Sequence, residues 1–265
     1  MGVAAAAGSF GQFLMVPVEG GLIAGIGWQQ ALFVLGAAAL LIVPLAFGLR
    51  EPAHAAATGP QQTIAEAVRE AFAWPSFRWL TAGYFVCGFQ VVFIGVHMPS
   101  YLRDKGLAAG VATTALALIG LFNIFGTYIA GSLGQRLPKP YILSAIYTLR
   151  SLAIVAFLLV PLSPATVYAF SAVMGFLWLS TVPPTNALVA QMFGVRFLST
   201  LGGFVFLSHQ IGSFLGVWLG GRLYDKTGSY DIVWWIAVAL GVAAALANLP
   251  VRETAVTRPA VAAAA

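Results

Sequence analysis

Six polar side chains stand inside stretches that are otherwise apolar: Gln90, His97, Asn123, Arg150, His209 and Gln210. Amides, imidazoles and a guanidinium in such places either bond to neighbouring helices or hold a small solute. Histidine adds proton exchange near neutral pH, and arginine adds a grip on an anion. Covalent catalysis is not indicated. His-Glu-x-x-His, Gly-x-Ser-x-Gly and the phosphate-loop pattern are all absent. The single cysteine, Cys87, excludes an internal disulfide and a cysteine metal cluster. An enzyme is therefore not expected, and neither is a metal or a cofactor.

Arg150 poses the sharpest question. It lies ten residues after Pro140 and eleven before Pro161. At about 1.5 Å per residue that is roughly 15 Å from either end of its helix. Snorkelling does not reach water from that depth. Ser144, Tyr147, Thr148 and Ser151 share one face with Arg150 at its edge, and the opposite side is Ala, Ile, Leu and Val. The charge should therefore point into a bundle. It serves there either as a clamp on backbone carbonyls and side chains or as the site of an anionic solute.

The other five residues also have two readings each. Gln90 falls mid-helix and His97 near the outer end of the same helix, seven residues on and so on one face. Asn123 is central in the next helix, and His209 and Gln210 are central in a later one. A buried Gln or Asn makes an interhelical hydrogen bond or binds a ligand. His97, beside Met98 and Pro99, satisfies backbone groups freed by the proline or faces a solute. His209 is the strongest ligand or proton candidate, with packing as the alternative.

These residues must be positioned by helices in lipid. Sixty per cent of the 265 residues are hydrophobic and 8% are charged, against about 25% charged in soluble domains. The net charge of +5 is scattered, with no basic stripe for nucleic acid. A membrane helix needs about 20 apolar residues. Eight runs qualify: 2–26, 28–49, 78–102, 108–133, 140–160, 164–192, 197–221 and 231–250. The start lacks a basic n-region and its apolar run is too long for a signal peptide, so a membrane helix is expected there. The predicted fold is an all-α polytopic membrane protein. Its parts are residues 1–50, a linker at 51–77, a six-helix bundle at 78–252 and a disordered tail at 253–265. Within the linker, Thr63 and Glu66 form a capping box that opens a short surface helix.

Loop charge sets the orientation. Arg50, Arg69, Arg78, Arg136, Lys139, Arg196, Arg252 and Arg258 fall on one side, and Arg103, Lys105, Arg222 and Lys226 on the other. The first side is expected to be cytoplasmic, with both termini, in the cell membrane. Gly212, Gly216 and Gly220 predict a close helix contact. Pro17, Pro99 and Pro183-Pro184 predict kinks. Trp28, Trp74, Trp79, Trp234 and Trp235 are expected as interface anchors.

Two segments resemble each other. One begins at Ala7 and the other at Ile211, and each has Gly-Ser-Phe, then a glycine turn, then an aromatic and an apolar helix. Six helices separate their starts, as in a parallel six-helix repeat. With "GSFGQFLMVP" on the first pair, "GSLGQRLPK" at 131–139 and "GGRLYDKTGSYD" at 220–231, the chain resembles the major facilitator superfamily from its fifth to its twelfth helix. The stretches "FQVVFIGVHMPSYLRDKGL" and "SHQIGSFLGVWLGGRLYDKTGSY" resemble its monocarboxylate and oxalate/formate group. Gln135 stands where the family's loop motif usually has an acidic residue, so no charge relay is carried over to that position.

The resemblance implies the last two helices of an N-terminal half plus a complete C-terminal half, truncated upstream. It implies alternating-access transport of a small organic anion, a monocarboxylate moved alone or with a proton. It also places Gln90, Asn123, His209 and Gln210 on cavity-lining helices and Arg150 on a peripheral one. The alternatives are a drug or sugar carrier of the same fold, or a membrane scaffold that transports nothing.

Overall fold

The computed structural model describes residues 2–48 and 62–256. It is helical throughout, with no strand among the described residues. The first helical element, α1, spans Gly2–Ala39. Its backbone leaves helical dihedrals at Gly27, φ 80° and ψ 161°, a conformation glycine adopts without steric cost. That is the expected boundary between the first two runs. A short α2, Ile42–Ala46, follows. Among the described residues, seven stretches are long and apolar enough to cross a membrane, against the expected eight, and the first, Phe10–Ala46, is 37 residues long and contains the break at Gly27.

The linker begins among residues 49–61, which lie outside the described ones. Its second part forms α3, Ile64–Ala73. Thr63 Oγ1 accepts from the Glu66 N–H, and the Glu66 carboxylate accepts from the Thr63 N–H at 2.8 Å. These are the two reciprocal bonds of the capping box. They hold the Glu66 carboxyl below its ordinary value, chiefly through the Thr63 backbone bond.

Six spans then make one bundle. They are α4 (Pro75–Asp104), α5 (Ala109–Leu133), α6 (Lys139–Leu159), the pair α7 (Pro164–Leu177) and α8 (Val182–Phe193), α9 (Leu198–Thr227), and α10 (Asp231–Asn248). α4 lies along α9, α5 along α7 and α1, and α6 along α10. Two boundaries differ from expectation. The run 164–192 is two helices, because Pro183 and Pro184 cannot donate to carbonyls four residues back. The last long helix continues six residues beyond 221, through Arg222, Asp225 and Lys226, and stops at Gly228 in the left-handed region. Gly27 and Gly228, matched positions of the internal resemblance, both take positive φ.

Apolar burial gains little between helices in lipid, so close packing must hold them. Glycine permits it. A Cβ on Gly212 would overlap the Phe85 carbonyl, and one on Gly216 would lie 2.6 Å from the Phe89 carbonyl oxygen. Gly220 would meet the His97 ring at 2.6 Å, so the expected stripe does seat α9 on α4. Gly88 answers from α4, where a Cβ would overlap the His209 carbonyl. An aromatic cluster fills the half of the bundle nearer the C-terminal end of α4, with Phe157 stacked on Phe170 at 4.2 Å and Trp234 edge-on to Phe93 at 5.0 Å. Trp234 is fully buried there, whereas the sequence placed it at the interface. Trp235 is half-exposed.

Candidate functional site

The break between α7 and α8 organises the polar interior. From Trp178 to Thr181 the chain turns out of the helix, with the Val182 N–H folding back to the Leu179 carbonyl at 2.9 Å. The carbonyls of Leu177 and Trp178 are left without helical donors, and they end a helix dipole whose negative pole points at them.

Arg150 supplies what they lack. It is fully buried. Its Nε donates to the Leu177 carbonyl at 3.1 Å and Nη2 to the same oxygen at 2.7 Å. Nη2 also donates to the Trp178 carbonyl. Nη1 lies 3.4 Å from the Cys87 sulfur, and the guanidinium sits 5.5 Å from the centre of the Tyr147 ring. A cation at a helix C-terminus is electrostatically favoured.

Asn123 holds the same break from α5. Its Oδ1 accepts from the Leu179 N–H at 2.9 Å. Thr127 Oγ1 donates to the Asn123 carbonyl at 2.7 Å, and Ser180 Oγ to that of Phe176 at 2.6 Å. Thr181 Oγ1 meets Cys87 at 3.3 Å. Three helices thus converge on four residues of the break, three of them met through their backbone and Thr181 through its side chain.

His209 joins this cluster from α9. It is 7% exposed, and its ring lies 5.2 Å from that of Tyr84 and stacks on Phe206 at 5.5 Å. Nδ1 meets Gln210 Oε1 at 3.1 Å and lies 3.4 Å from Ser213 Oγ. Gln210 itself is exposed. His209 thus packs on α4 at Tyr84 and Gly88, one residue from Cys87, which meets Arg150 in the bundle centre.

Gln90 and His97 go elsewhere. Gln90 Nε2 donates to the Ala237 carbonyl on α10 at 2.9 Å, and its Oε1 is buried without a partner. His97 Nε2 meets the Val217 carbonyl on α9 at 3.0 Å. Seven residues apart on one helix, they serve different neighbours. Of the six candidates, the structure brings Arg150 and Asn123 together at the break, with His209 and Gln210 beside them. Cys87 and Thr181 were not foreseen as partners, whereas Tyr147 lies beside Arg150 as their shared face implied. Cys87 precedes Gln90 by three positions, a helical spacing that could have flagged it.

A second polar region lies at the end of the bundle that carries Lys139. A cavity of about 650 Å³ opens there between α5, α8 and the start of α9, with Gln135, Lys139 and Asn186 among its walls. Lys139 Nζ pairs with Glu253 Oε2 at 3.2 Å and donates to Gln191 Oε1 at 3.0 Å. Residues 253–256 of the expected tail are described and contact the bundle, while 257–265 lie outside the described residues.

The Major Facilitator Superfamily description matches residues 1–217. Among curated proteins, the chain is 27% identical over 264 residues to the uncharacterized MFS-type transporter YcxA of Bacillus subtilis, covering 92% of this chain and 62% of that one. It is 26% identical over 244 residues to monocarboxylate transporter 13 of Bos taurus, covering 90% and 56%. The chain thus spans less than two thirds of the length of either relative. Among solved structures, it superposes on the major facilitator transporter FucP in its outward conformation with TM-score 0.58 and 17% identity, over 84% of this chain and 55% of that one. A bacterial homolog of the human lysosomal transporter Spinster, inward-facing and unoccupied, gives 0.56 and 19%, over 94% and 66%. These two likenesses establish the fold.

Proposed function

The chain belongs to the Major Facilitator Superfamily, and on that premise we propose that it is part of a secondary transporter for a small monocarboxylate. It is an integral membrane protein of a family of transporters rather than enzymes. Carriers of this kind move one helix bundle against another around a site near the bilayer midplane. In this reading the two spans that Gly27 divides within α1 and α2 are the last two helices of one half, α4–α10 are the other half, and residues 51–77 link them in the cytoplasm. Both termini face the cytoplasm and the protein lies in the cell membrane.

The carrying observation is the set of polar groups inside one bundle: buried Arg150 bonded to Cys87, and His209 packed on the helix of Cys87 at Tyr84 and Gly88, with exposed Gln210 beside it. It reaches bilayer depth in a bundle whose spans hold few other charges. The positive field of Arg150 suits an anion approaching His209, and His209 suits a proton taken up with it. Arg150 acts at one remove, because its donors are committed to the Leu177 and Trp178 carbonyls. Gln90, His97 and Asn123 are kept as solute-facing candidates whose bonds in this state are to backbone. The monocarboxylate transporters among the relatives support the solute class. Uptake of labelled small monocarboxylates into vesicles carrying the protein, with and without a proton gradient, tests the reading.

A further inference from the structure

Past the end of α10, residues 251–256 run without helix across the expected cytoplasmic end of the bundle and are fastened along their length. Val251 is buried. The Arg252 N–H donates to Ser76 Oγ at the start of α4, at 3.0 Å. Glu253 accepts from the Lys139 N–H at the start of α6 and pairs with its ammonium at 3.2 Å. The Val256 N–H donates to the Met192 carbonyl near the end of α8, at 2.9 Å. The Lys139 ammonium also donates to Gln191 Oε1 on α8, at 3.0 Å. One extended segment thus ties α8 to the starts of α4 and α6.

The helix so tied is jointed at both ends. It begins after the turn at 178–181 and ends at Gly194, whose φ of 83° lies in the region glycine favours. Such element-terminal residues can absorb a hinge motion. At the first joint, Arg150 and Asn123 hold the Leu177 carbonyl and the Leu179 N–H, which anchors the α7 side. α8 is the side left to turn. We propose that residues 251–256 are a clasp on α8. While Glu253 sits on Lys139 and Val256 on Met192, α8 stays seated against α6. When they let go, α8 turns as a unit about its two joints. The ion pair is within reach of water, its side chains 15% and 26% exposed, and such pairs are weak enough to open. Pro183, Asn186, Ala187 and Ala190 of α8 wall the cavity of about 650 Å³, so the clasp sets how far that cavity opens, whatever the solute.

The test is thiol labelling of the full chain by N-ethylmaleimide. Thr185→Cys places a reporter in α8, two turns from Met192 and away from the clasp itself. Ser171→Cys places a control in α7, across the break. Both hydroxyls are buried without a hydrogen-bond partner, so a thiol replaces either at little cost. Cys87 is fully buried, and the parent chain measures its background. Two variants open the clasp by different routes. Glu253→Ala removes the ion pair and leaves the Met192 bond, whereas Val256→Pro removes the donor to Met192 and leaves the ion pair. Each should speed labelling at Thr185→Cys about fivefold, the effect of one lost hydrogen bond, with Ser171→Cys unchanged. Unchanged labelling at Thr185→Cys in either variant would overturn the proposal. Equal acceleration at Ser171→Cys would also overturn it, since the whole bundle would then have loosened.

Discussion

The Arg150 guanidinium and the Leu177 carbonyl oxygen are joined twice, by Nε at 3.1 Å and by Nη2 at 2.7 Å. One helix thereby closes the open end of another in the middle of a membrane bundle. Pro183 and Pro184 break the continuity of α7 and α8, the break exposes carbonyls, and a buried cation meets them. An arginine that looks costly on its own helix is explained by the neighbouring one.

Replacing Arg150 by Gln should leave the Leu177 and Trp178 carbonyls short of donors at about 1–3 kcal/mol each. Much of the folded protein should be lost, read as the monodisperse fraction after heating in detergent. Arg150→Lys keeps the charge without the fork and should fall between. Parent-like stability in both variants, with solute affinity alone reduced, would make Arg150 a direct ligand.

At Asn123 the two obvious substitutions should part company. Asn123→Asp retains an acceptor for the Leu179 N–H, whereas Asn123→Leu leaves that donor buried and unmet. The leucine variant should be less stable than the aspartate one by about 1–3 kcal/mol, seen in thermal unfolding. A more stable leucine variant would remove the bond from the account of the break.

Much of this was legible in the sequence. Hydropathy marks the spans, Gly27 marks the first break, and Thr63 with Glu66 marks the start of α3, because each is a local signal. The inward direction of Arg150 followed from its polar face. Its partners did not, because backbone carbonyls carry no residue code. The α7–α8 break hid in an unbroken apolar run whose only mark was Pro183-Pro184. Arg222, Asp225 and Lys226 looked like a loop, yet α9 continues through them on its way out of the apolar layer. The Glu253–Lys139 contact joins positions 114 apart, and no periodicity relates them.

Gly88 and Gly203 offer a paired test of helix contact. A methyl group at Gly88 would collide with the His209 backbone, while one at Gly203 meets nothing within 4 Å. Gly88→Ala should push α4 from α9 and lower stability by about 1–3 kcal/mol or more. Gly203→Ala should be neutral or slightly stabilising, since alanine is the better helix former. Similar melting for the two alanine variants would contradict the close approach.

The start of α3 should respond to acid. The folded Glu66 carboxyl is held below its ordinary value by the Thr63 N–H, so its stabilisation is complete above the ordinary carboxylate range. It is lost as pH falls through the lowered value. Amide exchange in the first turn should quicken over that window. Thr63→Ala should quicken it about fivefold at neutral pH, the equivalent of about 1 kcal/mol. Exchange insensitive to both changes would mean that the cap does not hold the helix.

The central claim is that the solute is a small monocarboxylate, and uptake into vesicles carrying the protein tests it most directly. Labelled acetate should enter saturably, faster with an inward proton gradient, and unlabelled monocarboxylates should compete while neutral sugars should not. His209→Ala should abolish the gradient effect with the protein still folded. Saturable uptake of a neutral sugar with no competition by carboxylates would contradict the claim.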